Sequence, residues 1–416
     1  MASRDLFYST QKDQIKMHIP FFLYFTAMFC FYKFTYFQLG IQIAVILYFG
    51  LLLIKRRLRV TKTQVKHLLF YLVWFGAFVA LMFLSTTWAY GKLETARTLL
   101  IAIRTFAIGF LIYYYADSKE KTLSIFLSFV MAFFITTIVI YITTPLSGWG
   151  SEHFFGVAIS QQRNSTGAVS APLVVLCYYL HSCYGLKIGK FLSVYFAVFT
   201  VIGGSRSAML HTVIVVVLSL FLNEKNVAKK AKKALALLLI ALGIVTLVYY
   251  VPFLYNIVWV RIGEAVSTTL GIDVADSSTV GRENLKEVAT LMFFQRPLLG
   301  YGVDGVVCFL SDYSKIIGEE VKAVYSHCNY TEIAACFGVV GLVIWYVPII
   351  KTLISSFIFR KNSVWKMCLF VSLLGMIIHD YSQITWSTHL NMYLLFIVLL
   401  LIRQECQQGA TEGINK

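Results

Sequence analysis

Charge is what this chain has least of. Only 13% of its 416 residues are charged, against 58% hydrophobic, and the mean hydropathy is +0.74. A soluble protein of this length would carry about twice that charged fraction. That excludes a soluble globular protein, and the net charge of +16 reports membrane topology before it reports any polyanionic partner. No nucleic acid is expected. CxxC pairs are missing too. The eight cysteines, Cys30, Cys177, Cys183, Cys308, Cys328, Cys336, Cys368 and Cys406, mostly fall in or beside apolar runs and read as small buried hydrophobes. Cys308 and Cys328 share one polar loop, where a disulfide is open to them. There is no Walker motif and no Rossmann fingerprint, so no cofactor is expected. Internal repeats and low-complexity tracts are also absent. The first residues, polar and basic, precede an apolar run and do not read as a signal peptide.

What is abundant is apolar sequence in runs near the roughly 20 residues that span a bilayer. Spans are expected at Ile19–Tyr36, Leu39–Ile54, His67–Trp88, Leu93–Tyr115, Thr122–Thr143, Ser165–Tyr184, Phe191–Ile202, Ala208–Leu222, Ala234–Tyr255, Thr331–Leu353, Val364–Ile378 and Thr388–Ile402. The fold class is therefore an all-α polytopic membrane protein of about twelve transmembrane helices. Residues 1–255 form the N-terminal spans, 256–330 a large polar loop with short helices, and 331–416 the C-terminal spans. Lysine and arginine set the orientation. The clusters Lys55–Lys66, Lys225–Lys233 and Arg360–Lys366, with Lys119, Lys121, Lys187 and Lys190, fall on one side if both termini are cytoplasmic. The loops 145–164, 203–207 and 256–330 are then extracytoplasmic, and Arg163, Arg206, Arg282 and His327 share that face.

The long loop is not disordered by composition. Ser277, Ser278 and Thr279 supply a helix start signal for Arg282–Phe294. Leu285, Val288, Ala289 and Met292 recur at helical spacing and give one apolar face, as for a helix lying along the membrane. Pro297 closes it, and Gly300 and Gly302 permit a turn close to another surface.

Arg206 stands in Gly203-Gly-Ser-Arg-Ser-Ala208 between apolar runs. It either snorkels to headgroups or holds a phosphate in its planar fork, with the glycines leaving room for a bulky ligand. Arg163 is a weaker case of the same kind. Arg282 begins the expected helix, where the macrodipole disfavours a cation, and Lys286 follows one turn on. A local rule broken in this way hints at function; the alternative is a solvated face offset by Glu283 and Glu287. His327, with an ordinary pKa of about 6.5, suits a general base, while Glu332 either caps the next helix or orients His327. His379, Asp380 and His389 fit no standard metal spacing and read as interfacial packing. Asp273-Val-Ala-Asp276 is not the metal-holding Asp-x-Asp of nucleotide-sugar transferases.

Four pieces together resemble the O-antigen polymerase and ligase superfamily. They are Phe83-Leu-Ser-Thr-Thr-Trp88-Ala; Gly204-Ser-Arg206-Ser-Ala; Asp276-Ser-Ser-Thr-Val-Gly-Arg282 with Gln295-Arg-Pro297-Leu-Leu-Gly300-Tyr-Gly302; and Ser326-His327-Cys-Asn-Tyr-Thr-Glu332 with Gly338-Val-Val-Gly341. The family often has Asn after the histidine. Here Cys328 stands there, with Asn329 as the candidate substitute, and Cys336 stands where ligases often have an acid. The Tyr330-x-Glu332 form is closer to capsule and exopolysaccharide polymerases. The resemblance implies a fold like the C-type glycosyltransferases and a metal-independent enzyme of the cytoplasmic (inner) membrane. Its donor and acceptor would be oligosaccharides on undecaprenyl pyrophosphate, with the bilayer and a chain-length regulator as further partners. It assigns catalysis to His327, Arg282 and Glu332, and pyrophosphate binding to Arg206, Arg163 and Arg282. A polymerase is the leading expectation and a glycan ligase the alternative. A transporter or flippase is disfavoured by the absence of a two-half repeat and by polar candidates gathered in loops rather than mid-bilayer.

The topology is testable directly. Cysteines placed at Arg163, Arg206, Arg282 and His327, in a background without the native cysteines, should react with a membrane-impermeant thiol reagent applied to intact cells. Labelling only after the cytoplasm is opened contradicts the assigned orientation.

Overall fold

The computed structural model describes residues 15–31, 35–55, 60–91, 95–145, 163–222, 226–252, 277–317, 324–359 and 364–414, with a few isolated positions between them. Among these residues there are helices and turns but no strand. The helices are α1 (Ile19–Cys30), α2 (Thr35–Lys55), α3 (Lys62–Ser85), α4 (Thr95–Tyr115), α5 (Lys119–Thr143), α6 (Arg163–Tyr184) and α7 (Lys187–Ile202). They continue as α8 (Arg206–Leu222), α9 (Val227–Tyr250), α10 (Ser277–Gln295), α11 (Gly305–Ile317), α12 (Asn329–Phe359), α13 (Val364–His379) and α14 (His389–Ile414).

Each expected apolar run carries a helix. By length and composition α3, α4, α5, α6, Asn329–Ile358 of α12 and His389–Gln407 of α14 can cross a membrane, and α1, Leu39–Leu52, α8 and α13 are shorter apolar helices. The chain is a multi-pass membrane protein. The first expected span is too long: α1 stops at Cys30, where Phe31 leaves helical geometry, and α2 starts afresh at Thr35. Asp273, Asp276, Arg56–Arg59, Lys225, Arg360, Lys361 and most of the 145–164 loop lie outside the described residues.

The centre of the bundle is α14. Met392 to Ile402 are at most 3% exposed, because a helix apolar on every side buries every side. It packs against α4, α5, α6, α12 and α13. By contrast α9 turns Leu235, Leu238, Leu239, Leu242 and Val245 outward, as a lipid-facing helix does. In lipid the hydrophobic effect does little to join helices, so close packing and interhelical polar contacts carry the association.

The most unusual backbone is in α12. At Gly338, φ is +63° and ψ −160°, a break inside an otherwise continuous helix. Such a break leaves peptide groups without intrahelical partners, and in an apolar interior each orphan costs several kcal/mol. The turn after α10 supplies the partners. Tyr301 N–H donates to Ala335 O at 2.9 Å and Gly302 N–H to Cys336 O at 2.7 Å. In return Val339 N–H donates to Pro297 O at 2.8 Å and Val340 N–H to Leu298 O at 3.3 Å. The fit requires glycine: a Cβ at position 338 would sit 2.3 Å from the Leu298 carbonyl, and one at position 300 would sit 2.5 Å from Ala335 O. The same turn holds the end of α3. Tyr90 N–H donates to Tyr301 O at 2.9 Å, Val303 N–H to Ser85 Oγ at 3.0 Å, and Trp88 Nε1 to Leu299 O at 3.3 Å.

The disulfide left open to Cys308 and Cys328 does not form. Cys308 and Cys328 are buried thiols. Cys308 sits on α11 with its sulfur against Gly91, while Cys328 is folded into the turn that opens α12.

Gly338→Ala should therefore destabilise strongly. Backbone strain costs roughly 1–3 kcal/mol and overpacking roughly 1–3 kcal/mol more. Gly50→Ala, where nothing lies within 4 Å, is the matched control. Thermal unfolding in detergent should show a large loss for the first and almost none for the second; equal melting temperatures would mean the break is tolerant of a side chain.

Candidate active site

The proposed site residues ride on four helix beginnings. Arg163 opens α6, Arg206 opens α8, Arg282 lies near the start of α10, and His327 and Glu332 flank the start of α12. The starts of α6 and α8 adjoin: Ser205 Oγ donates to Asn164 Oδ1 at 2.9 Å. Arg163 is 7% exposed, and Arg206 is half-buried. The glycines before Arg206 have a different use from the one expected. Gly203 and Gly204 are both buried, and Gly204 takes a φ of +65°. They end α7 and reverse the chain, so they offer no open approach for a bulky ligand.

Arg282 also differs from expectation. Its helix starts at Ser277, so the arginine stands in the second turn and the macrodipole penalty, confined to the first turn, falls away. The expected inner face is present: Ala289 and Met292 are buried, and Leu285 and Val288 pack on the core. Lys286 pairs with Glu283 at 2.7 Å, which is the charge offset the sequence allows. Arg282 is half-buried, and its charge reaches Tyr325. Burial pushes that phenol above its ordinary pKa and Arg282 opposes the shift. The Tyr325 ring in turn lies 4.4 Å from that of His327, so Tyr325 sits beside the histidine and within electrostatic reach of the arginine.

His327 has a φ of +58°. It and Asp304 are the non-glycine residues with positive φ among the described residues, and strain of this kind collects at functional sites. The turn is held from below. Ser326 N–H donates to Glu332 Oε2 at 2.7 Å, Ser326 Oγ to Cys328 O at 3.0 Å, and Thr331 Oγ1 to Ser326 Oγ at 3.1 Å. Glu332 is 2% exposed and also accepts a long contact of 3.8 Å from Cys336 Sγ. Its carboxylate thus grips the backbone one residue before His327, which is a positioning geometry. Asp304, whose Oδ1 accepts from Thr98 at 3.0 Å, lies within electrostatic reach of Glu332.

Asn329, the candidate substitute for the residue after the histidine, is buried and fully hydrogen-bonded. Its side chain donates to Tyr346 Oη at 2.9 Å and to Asp380 Oδ2 at 3.1 Å, and accepts from Thr385 N–H at 2.9 Å. Its own N–H donates to Asp380 O at 2.7 Å. Tyr346 and Thr385 donate to the Asp380 carboxyl as well. Sequence reading missed this knot, although an acid in so apolar a chain is a signal. His379, Asp380 and His389 face apart: His379 stacks on His211 at 4.9 Å, and His389 Nδ1 pairs with Thr105 Oγ1 at 2.9 Å.

Burial pushes the Asp380 carboxyl up to about 7 from 3.8, against three donors that favour its charge. The folded state then holds a proton that the unfolded chain releases, so this group's contribution to stability falls as pH rises from about 4 to about 7. Asp380→Asn should flatten the melting temperature between pH 5 and pH 7 relative to the wild type. An unchanged slope would assign that pH dependence to another group.

No curated protein matches this chain. Residues 191–346 match the model of a family described as O-antigen ligase. That stretch runs from α7 through Arg206, Arg282 and the broken helix, and so contains Gly-Ser-Arg, the Pro-Leu-Leu-Gly-Tyr-Gly turn and His327 with Glu332. This match supports the resemblance to the O-antigen polymerase and ligase superfamily that the four sequence motifs carry.

Proposed function

We propose that the protein is a polysaccharide polymerase. It joins oligosaccharide repeat units carried on undecaprenyl pyrophosphate, at the outer face of the cytoplasmic membrane, with both of its termini in the cytoplasm. The observation that carries this reading is the convergence of the α6, α8 and α12 beginnings, with Arg163, Arg206 and His327, on the one turn 379–386. Helix N-termini and guanidinium groups both favour a pyrophosphate. In the reaction an acceptor hydroxyl oxygen bonds to the donor's anomeric carbon as the bond from that carbon to the pyrophosphate oxygen breaks. His327 takes the hydroxyl proton. Arg163, Arg206 and Arg282 hold the lipid pyrophosphate as it leaves, which is the basis for proposing a metal-independent step. Glu332 holds the His327 turn through Ser326.

A ligase that moves the finished glycan to another acceptor is the second reading, favoured by the match to an O-antigen ligase family. The two separate on incubation of purified protein with lipid-linked oligosaccharide. A ladder of products supports the polymerase, and a single transfer to an added acceptor supports the ligase. In the same assay His327→Ala should bind donor almost normally but turn over at least about a hundredfold slower. Arg282→Lys keeps the charge and loses the fork, and should be impaired along with Arg282→Ala. Near wild-type turnover by His327→Ala removes the histidine from the chemistry, and a fully active Arg282→Lys rules out the bidentate contact.

A further inference from the structure

The end of α13 and the turn that follows it, residues 379–386, belong to none of the motifs that carry the family resemblance. Yet together they touch each of the four helices that bear the proposed site residues. His379 stacks on His211 of α8, at 4.9 Å between ring centroids. Gln383, itself 2% exposed, donates to Ser165 Oγ of α6 at 3.2 Å, two residues after Arg163. Thr385 and Trp386 donate their N–H groups to Asn329 of α12 at 2.9 and 3.3 Å. The Lys286 ammonium of α10 stands 4.0 Å above the ring of Tyr381, one turn after Arg282. The first three contacts are buried. The fourth is at the surface, where Tyr381 is 58% exposed while the Lys286 side chain is only 12% exposed. The open Tyr381 ring thus covers a cation that is itself largely buried.

We propose that the 379–386 turn is the positioning element of the site: Tyr381 seats the helix of Arg282, and Gln383 seats the helix of Arg163. Neither residue touches substrate; each acts through its arginine. A cation over an aromatic face is worth about two- to thirtyfold in an equilibrium constant, depending on how far it is desolvated. A neutral hydrogen bond is worth roughly two- to tenfold.

The functional half of the inference rests on the pyrophosphate-binding role proposed above, so the test reads the tie and the binding separately. The full chain in lipid nanodiscs is used throughout. Hydrogen exchange across Ser277–Gln295 should quicken in Tyr381→Leu and stay at the wild-type rate in Tyr381→Phe, which keeps the ring. Equilibrium binding of undecaprenyl pyrophosphate should weaken about two- to thirtyfold in Tyr381→Leu and roughly two- to tenfold in Gln383→Leu. Because each residue acts through its arginine, adding Tyr381→Leu to Arg282→Ala, or Gln383→Leu to Arg163→Ala, should cost nothing further. Unchanged exchange in Tyr381→Leu overturns the tie. Additive losses in the double variants overturn the positioning role, since mere destabilisation adds. Failure of the wild type to bind the lipid pyrophosphate overturns the pyrophosphate reading instead, and the turn then stands or falls on the exchange measurement.

Discussion

The arrangement depends on one constraint: a helix broken inside an apolar body must find new partners for its peptide groups. At Gly338 α12 opens, and the turn 297–302 closes the account with backbone hydrogen bonds in both directions. Few other segments could do this, because the two backbones approach so closely that a Cβ on either Gly300 or Gly338 would meet a carbonyl. The pairing also fixes where α10 ends, and so where Arg282 stands relative to the start of α12. Ser85, Trp88 and Tyr90 then clamp the outer side of the turn.

From that break the site follows upward. The first turns of α12, short of Gly338, carry Glu332, whose buried carboxylate holds the backbone before His327. His327 is thereby kept at a positive φ that it would seldom adopt alone. On the other flank Asn329 anchors the same helix start to Asp380 and the turn behind it. A histidine pinned from both sides loses little further entropy on binding a ligand, which suits the base role proposed for it.

Much of this was legible in the sequence. The motif pieces are short and separated, yet three of the four touch in space: Ser85 and Trp88 reach the Leu299–Val303 turn, and that turn meets Gly338. The apolar face of α10 was legible from helical spacing, since Ala289 and Met292 are buried as their period requires. Less legible were features set by neighbours. The start of α10 at Ser277 moves Arg282 out of the first turn, and the burial of Gly203 and Gly204 turns an apparent opening into a chain reversal. Helix ends depend on what caps them, and local composition reports this weakly.

By itself the sequence determined the class: too little charge for a soluble fold, and apolar runs that had to become helices because only helices satisfy their own backbone in lipid. It also determined the candidate chemistry, since arginine and histidine in so apolar a chain are expensive to keep. Only the tertiary structure decided that Gly338 breaks its helix and that Asn329 binds Asp380. The same holds for the turn 379–386, which touches all four helices of the site. Each of these is a contact between residues far apart in the chain, governed by which backbone groups and buried side chains found partners, and no local pattern encodes that choice.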